Sequence, residues 1–208
     1  MPYVIEKHDL EMKKNVVLLL NMIVLVAALF SCGNPKPAAA VDNKESVRAF
    51  TQKFYDGYVA QYNKPLASDT SSCNCGDIKT LKEKPSDFDP KLLKAIVDDS
   101  NAQAKVAGDI VGLDFDPFLA SQDNGFGYQA GNVKQIGDKF WVEMHIGEIN
   151  KPKSEILSGE VHVIVEVAKN NGYWVFTNFI YPAEGKTPQT DLLQILKDLK
   201  KDREQPAK

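Results

Sequence analysis

The sequence has little of the chemistry that most enzymes use. It contains three histidines, three cysteines and two tryptophans among its 208 residues. It contains no G-x-S-x-G pattern, no H-E-x-x-H pattern and no glycine-rich loop that could cradle a phosphate group. These absences argue against the common hydrolase, zinc-protease and nucleotide-binding sites. The sequence therefore predicts a protein without catalytic residues, a metal ion or a cofactor.

A surplus of basic residues is also lacking. The chain has 25 lysines and arginines against 28 aspartates and glutamates, which gives a net charge of −3. Domains that bind nucleic acid usually carry a basic patch or stripe, so we expect no nucleic-acid partner. Long apolar runs are absent after the N-terminal region. The remainder is therefore predicted to be a single soluble domain.

The one long apolar run covers residues 16–30 and follows Lys13 and Lys14. Its 15 residues are short for a helix that crosses a bilayer, which needs about 20. A short apolar run after positive charges is typical of a secretory signal. Met12 stands directly before the lysines, and we hypothesise that it is the true start.

The end of this run, Leu29-Phe30-Ser31-Cys32, resembles a bacterial lipobox. The resemblance implies cleavage before Cys32 and a lipid on its sulfur, which makes the membrane a partner. Stable anchoring needs more than one acyl chain, and this modification supplies them. Gly33 follows instead of an acidic residue, which favours the outer membrane of a two-membrane bacterium. The alternatives are an ordinary signal peptide or a short anchor helix.

These features divide the chain into four segments. Residues 1–31 are the predicted signal peptide, and residues 32–41 are the lipidated cysteine and a flexible tether. Residues 42–203 are predicted to form one globular domain, and residues 204–208 a disordered tail. We expect a location in the bacterial cell envelope, with the domain facing the periplasm.

Lipidation of Cys32 leaves two cysteines, Cys73 and Cys75, in the stretch SSCNCGD. A Cys-x-Cys disulfide is geometrically demanding, but the neighbouring serine, asparagine and glycine residues permit a tight turn. In an oxidising compartment we favour this disulfide. Free thiols, pairing with a partner protein and metal binding are the alternatives, although no further metal ligands are evident nearby.

Hydrophobic periodicity predicts helices first and strands later. Three helices are predicted: Asp42–Tyr62, Asp89–Lys105 and Thr190–Arg203. The residues between the first two, 63–87, are predicted to be a loop. Strands are predicted at residues 132–136, 140–147, 161–168 and 173–181, with hairpin turns at Gly137-Asp138 and Asn171-Gly172. This order predicts an α+β fold with an antiparallel sheet.

The stretch LDFDPFLASQDNGFGY concentrates oxygen-bearing side chains, among them Asp116, Gln122 and Asp123. Its spacing does not fit a calcium-binding loop, which requires a glycine at the sixth position and a glutamate at the twelfth. We therefore expect Asp116 to cap a short helix that Pro117 opens and Phe118 anchors. A polar binding site or a cation site is the alternative.

The residues Asp116-Pro117-Phe118-Leu119, followed by Gln122-Asp123, resemble the D-P-F-x-x-x-Q-D signature of a bacterial envelope family. That family has no known function, and many of its members are lipoproteins. The aromatic first helix and the strand Trp174–Tyr181 are also similar, so the resemblance covers roughly residues 44–200. It implies a cystatin-like or nuclear-transport-factor-like α+β cone, with helices packed on a curved antiparallel sheet. It implies no catalytic residues.

Two histidines, His145 and His162, follow the predicted signal peptide. The strand alternation places both on polar faces, beside Glu143, Glu160 and Glu166. On neighbouring strands they could form an acid–base or metal site of a hydrolase or isomerase. We favour the simpler interpretation, a solvated sheet face with cross-strand charge pairs.

The leading functional hypothesis is a non-catalytic accessory module that binds another envelope protein. Trp141 lies on a predicted polar strand face, and aromatic residues in such places are typical of interface anchors. The candidate binding residues are Asp116, Gln122, Asp123, Trp141, His145 and His162. The second hypothesis is a small-ligand pocket inside the cone, lined by Phe54, Tyr58, Trp174 and Phe179.

Overall fold

The computed structural model describes residues 43–62, 76–106, 108–122, 126–183 and 189–205. The predicted signal peptide and tether, with Cys32, lie outside the described residues. So do Cys73 and Cys75, the predicted disulfide pair, and Asp123. Among the helices within the described ranges, none combines the length and the apolar character needed to cross a bilayer.

Helix α1, Asn43–Tyr62, carries aromatic residues at helical spacing. Val47, Phe54, Tyr55 and Tyr58 are buried against the sheet, because residues three and four apart share one helical face. This confirms the predicted aromatic core face of the first helix.

The segment predicted as a loop over residues 63–87 contains a helix, and that prediction is wrong. Helix α2, Gly76–Glu83, buries Leu81, and a 3-10 turn, Pro85–Asp87, follows it. The backbone N–H of Asp89 then donates to the carbonyl of Phe176 at 2.8 Å. This helix has only eight residues, and a helix this short depends on packing for its stability, here the burial of Leu81 in the core.

Helix α3, Pro90–Gln103, begins where the sequence predicted it. Asp89 caps it by accepting a hydrogen bond from the backbone N–H of Lys91 at 2.9 Å, and Pro90 occupies the first position. Leu92 and Ile96 form its buried stripe.

The described strands form one antiparallel sheet in the order β1-β2-β3-β4-β5. The strands are β1 (Phe126–Ile136), β2 (Lys139–Glu148), β3 (Val161–Asn170), β4 (Tyr173–Tyr181) and β5 (Thr190–Asp191). A short helix α4, Lys153–Ile156, connects β2 to β3. Asn171 and Gly172 both have positive φ, 51° and 87°, as the predicted tight hairpin requires.

The last helix, α5, covers Leu192–Glu204. Asp191 caps it, accepting a hydrogen bond from the backbone N–H of Gln194 at 3.0 Å, and Leu192 and Leu196 are buried. The helix extends one residue into the tail that was predicted to be disordered from residue 204, so that boundary is corrected. Residues 206–208 lie outside the described ranges.

Three shifts of register curve the sheet. Each gives one strand an extra residue: β1 between Ala130 and Val133, β3 at His162 and β4 at Thr177. Such bulges bend a strand and increase its twist. The helices cover the apolar face of this curved sheet, which confirms the predicted α+β fold.

Helix α1 also covers the outer edge of β1. The side-chain amide of Gln52 donates to the carbonyl of Tyr128 at 3.0 Å and accepts from the N–H of Ala130 at 2.7 Å. Arg48 donates to the carbonyl of Gly131 at 2.9 Å. Gln52 thus bonds to β1 as the peptide group of a neighbouring strand would.

Candidate functional site

The D-P-F residues form a capped turn, which we call the Asp116 turn (residues 116–121). The Asp116 carboxylate accepts hydrogen bonds from the backbone N–H groups of Phe118 and Leu119, both at 2.9 Å. The N–H of Asp116 donates to the carbonyl of Ser121 at 3.1 Å. Asp116 therefore has the predicted capping role, although it caps a turn instead of a helix.

Tyrosine hydroxyl groups from α1, β1 and β4 donate to the Asp116 turn. The bonds run from Tyr55 to the carbonyl of Phe118 (2.7 Å), from Tyr128 to that of Leu119 (2.9 Å), from Tyr181 to that of Pro117 (2.8 Å), and from Tyr58 to the Asp116 carboxylate. Burial raises the pKa of Tyr55 and of Tyr181 well above the ordinary tyrosine value. The hydroxyl groups of Tyr55 and Tyr181 therefore remain protonated and able to donate. Helical spacing places Tyr55 and Tyr58 on one face of α1, but only the tertiary fold brings Tyr128 and Tyr181 to them.

Gln122, predicted as a binding residue, is also engaged at this turn. Its side-chain amide donates to the carbonyl of Asp114 at 2.9 Å. Across the described part of the chain, no three His, Cys, Asp or Glu side chains are grouped so that they could hold a metal ion. The described contacts of Asp116 and Gln122 hold the turn together.

Aromatic rings pack closely in the interior beside the Asp116 turn. The ring centroids of Phe54 and Phe176 are 4.7 Å apart, and those of Phe118 and Phe179 are 5.0 Å apart. Tyr58 stacks on Phe54 at 5.6 Å. Three of the four predicted pocket residues therefore contact their neighbours within one aromatic cluster.

Trp174, the fourth predicted pocket residue, lies on β4 and contacts the first turn of α1. Its indole N–H donates to the Ser46 hydroxyl at 2.9 Å, and its ring meets Phe140 edge-on at 5.4 Å. A cavity of about 560 Å³ lies elsewhere, between α3 and α5, and Lys94, Leu196 and Arg203 are among its lining residues.

His145 lies on the predicted strand face, next to the core-facing Met144, but the prediction that this face is solvated is wrong at this position. His145 is 8% exposed, and its Nδ1 lies 2.9 Å from the carbonyl oxygen of Gly159. Its ring packs so closely on Gly131 that a Cβ added there would lie 2.6 Å from Nε2.

His162 has a different environment because it is the extra residue of the β3 bulge. Its ring lies 6.2 Å from that of the buried Tyr128, and its Nε2 is buried with no hydrogen-bond partner within the described residues. The bulge interrupts the alternation on which the prediction rested. His145 therefore packs against Gly131 and Gly159, whereas His162 faces Tyr128.

Trp141 belongs to a hydrogen-bonded group on the sheet face opposite the core. We call Trp141, Glu166, Lys139 and Thr177 the Trp141 cluster. Trp141 and Glu166 are cross-strand partners, and the indole N–H donates to a Glu166 carboxylate oxygen at 3.2 Å. Lys139 and Thr177 donate to the other carboxylate oxygen at 2.6 and 2.7 Å. The sequence pointed to Trp141, but Thr177 joins it only because the β4 bulge places it there.

Glu166 remains ionised in this cluster. Burial acts to raise the pKa of its carboxyl group, but hydrogen bonds from Lys139, Thr177 and Trp141 outweigh burial and lower the pKa. The charged carboxylate accepts all three bonds at once. It therefore holds the half-buried indole ring in one orientation.

Comparison of the chain with protein-family models, curated proteins and solved structures found no match. The resemblance of the Asp116 turn to the envelope family therefore stays a prediction. Lipidation of Cys32 also stays a prediction.

Proposed function

We propose that this protein is a lipoprotein of the bacterial envelope, anchored through Cys32, and that its domain is a non-catalytic module that binds another envelope protein. The Trp141 cluster carries the proposal. It presents a large aromatic side chain on the sheet face opposite the core. One hydrogen bond joins the indole to Glu166, and Lys139 and Thr177 hold that carboxylate in place.

The energetics of protein interfaces support this role for Trp141. A few residues, often tryptophan, tyrosine or arginine, dominate binding at most interfaces. A side chain that is already ordered loses less conformational entropy when a partner binds. Because Glu166 orients the indole before binding, Trp141 is suited to be such an anchor.

Two observations favour protein binding over the alternatives. The rings of Phe54, Tyr58 and Phe179 pack within one aromatic cluster, which favours a filled core over a ligand pocket at those residues. His145 and His162 face different surroundings, which disfavours a joint acid–base role in a hydrolase or isomerase.

The test is in-cell crosslinking of the tagged, full-length protein, followed by mass spectrometry of the captured proteins. We expect one dominant envelope protein, and we expect Trp141→Ala to reduce its capture by about tenfold or more. The matched control is Ile110→Ala, because Ile110 is 72% exposed and lies outside the sheet. Equal capture by the Trp141→Ala variant, with an unchanged melting temperature, would contradict the proposal.

A further inference from the structure

Two hairpin turns lie at the same end of the sheet. Ile136 pairs with Lys139 beside the first turn, and Asn170 pairs with Tyr173 beside the second. Phe140, next to the first turn, pairs with Val167, which lies close to the second turn. The two turns are therefore at nearly the same position along the strand direction. We call residues 134–139 and 169–173 the hairpin end.

Helix α1 begins at the hairpin end. The Lys169 ammonium group lies 3.3 Å from the side-chain oxygen of Asn43, and Trp174 donates to Ser46 at 2.9 Å. The chain therefore enters the domain beside the second turn. Asn43 follows Cys32 by eleven residues, and a flexible linker of that length has a root-mean-square span of roughly 17–20 Å. A lipid on Cys32 would keep this end of the domain close to the membrane.

The surface of the hairpin end matches an anionic bilayer. Tyr173 is 78% exposed and Ile136 is 38% exposed. Tyrosine is enriched at membrane–water interfaces, because its ring is apolar and its hydroxyl group is polar. The two segments carry three lysines, at 134, 139 and 169, against Asp138. Lys139 is paired with Glu166, so Lys134 and Lys169 leave a local charge of +1 in a chain whose net charge is −3.

The opposite end of the sheet provides a contrast. The connection between β2 and β3 also exposes apolar side chains, Ile149 and Leu157. However, residues 148–160 carry three glutamates and two lysines, which an anionic surface would repel. Exposed apolar area therefore does not distinguish the two ends, whereas charge and the entry point of the chain do.

We propose that the hairpin end rests on the anionic headgroup surface of the membrane, with Tyr173 and Ile136 in the interfacial layer. This inference rests on the proposed lipid anchor. The lysines attract the anionic lipids, and the tether keeps the hairpin end near them. This orientation directs the opposite end of the sheet away from the bilayer.

The test uses the lipidated full-length protein in vesicles of phosphatidylethanolamine and phosphatidylglycerol, with bromine near the headgroups of the phosphatidylglycerol. Tyr173→Trp and Ile110→Trp each add one indole at an exposed site. We expect bromine to quench the added indole of Tyr173→Trp about twice as strongly, or more, as that of Ile110→Trp. Equal quenching would overturn the inference.

A charge reversal tests the electrostatic part. In the Tyr173→Trp background, we expect Lys134→Glu to weaken quenching and Lys197→Glu, at an exposed position on α5, to leave it unchanged. Unchanged quenching in both variants would contradict the role of the hairpin-end lysines. Vesicle flotation tests the anchor separately. A protein that floats but shows equal quenching loses only this inference, whereas one that does not float loses the proposed anchor as well.

Discussion

The Asp116 turn and the Trp141 cluster are built from the same chemical parts. In each, a carboxylate accepts hydrogen bonds from an aromatic side chain of another element and from further donors. At Asp116 these further donors are backbone N–H groups of the same turn, and at Glu166 they are side chains that include Thr177 of a neighbouring strand. The Asp116 turn packs against the filled core through its own Phe118, which is fully buried. The Trp141 cluster lies on the sheet face opposite that core. The comparison shows that the surroundings decide whether such a network stabilises the fold or orients a side chain for binding.

The largest expected effect on the free energy of unfolding comes from Phe118, the apolar anchor of the Asp116 turn. Phe118→Ala should lower the free energy of unfolding by about 3–5 kcal/mol, because it opens a cavity among the packed rings. The control is Phe115→Ala. Phe115 is half-buried and contacts Tyr181 edge-on at 5.4 Å, so its loss should be about 1 kcal/mol. Urea unfolding measures both, and equal losses would refute the central place of Phe118.

The next largest effect concerns a single hydroxyl group. Tyr55→Phe should lower the free energy of unfolding by about 1–2 kcal/mol, because the buried carbonyl of Phe118 loses its donor. Tyr173→Phe, at an exposed tyrosine, should change it by less than about 0.5 kcal/mol. A smaller loss of unfolding free energy for Tyr55→Phe than for Tyr173→Phe would contradict the stabilising role of the Tyr55 hydroxyl group at the Asp116 turn.

The buried tyrosines also predict an alkaline transition. Burial first, and then the nearby Tyr128, Tyr181 and Asp116, raise the pKa of Tyr55 well above the ordinary value of 10.0. The unfolded chain therefore loses this proton at a lower pH than the folded chain. The contribution of Tyr55 to the free energy of unfolding is fully present below pH 10. It is lost as the pH rises from there through the raised pKa. The decline should be less steep in Tyr55→Phe, and equal slopes would contradict the raised pKa.

The smallest effect concerns the Trp141 cluster. Glu166→Gln should lower the free energy of unfolding by about 0.5–1 kcal/mol at neutral pH, because this ion pair is partly exposed. The pKa of Glu166 is lowered from 4.5. Its contribution is therefore present above that value and is lost as the pH falls through the lowered pKa. The free energy of unfolding of the variant should not show this loss at acid pH. If the wild-type protein and the variant lose stability identically as the pH falls, the lowered pKa of Glu166 is contradicted. We also expect Glu166→Gln to reduce the amount of partner captured by crosslinking, although the variant remains folded.

Local patterns were sufficient for much of this fold. The first and last helices, the start of a helix at Asp89-Pro90 and the Asn171-Gly172 hairpin follow from side-chain spacing and turn chemistry, which neighbouring residues determine. The cap by Asp116 was predicted for the same reason, because its bonds reach only two and three residues along the chain.

The features that could not be predicted depend on register and on distant contacts. An extra residue in β3 changes the surroundings of His162, and one in β4 brings Thr177 to Glu166. A single insertion of this kind disrupts the alternation from which strand faces are inferred. Helix α2 was missed because distant contacts stabilise it. The site residues on local turns were therefore predicted better than those next to bulges.

The bond between Gln52 and the outer edge of β1 has a consequence for proteins crowded on a surface. An uncovered strand edge can pair with the same edge of another molecule, and sheets that grow in this way aggregate. Gln52 and Arg48 occupy the backbone groups of Tyr128, Ala130 and Gly131 that such growth would need. Along these residues, the first helix therefore shields the sheet from polymerising with its neighbours.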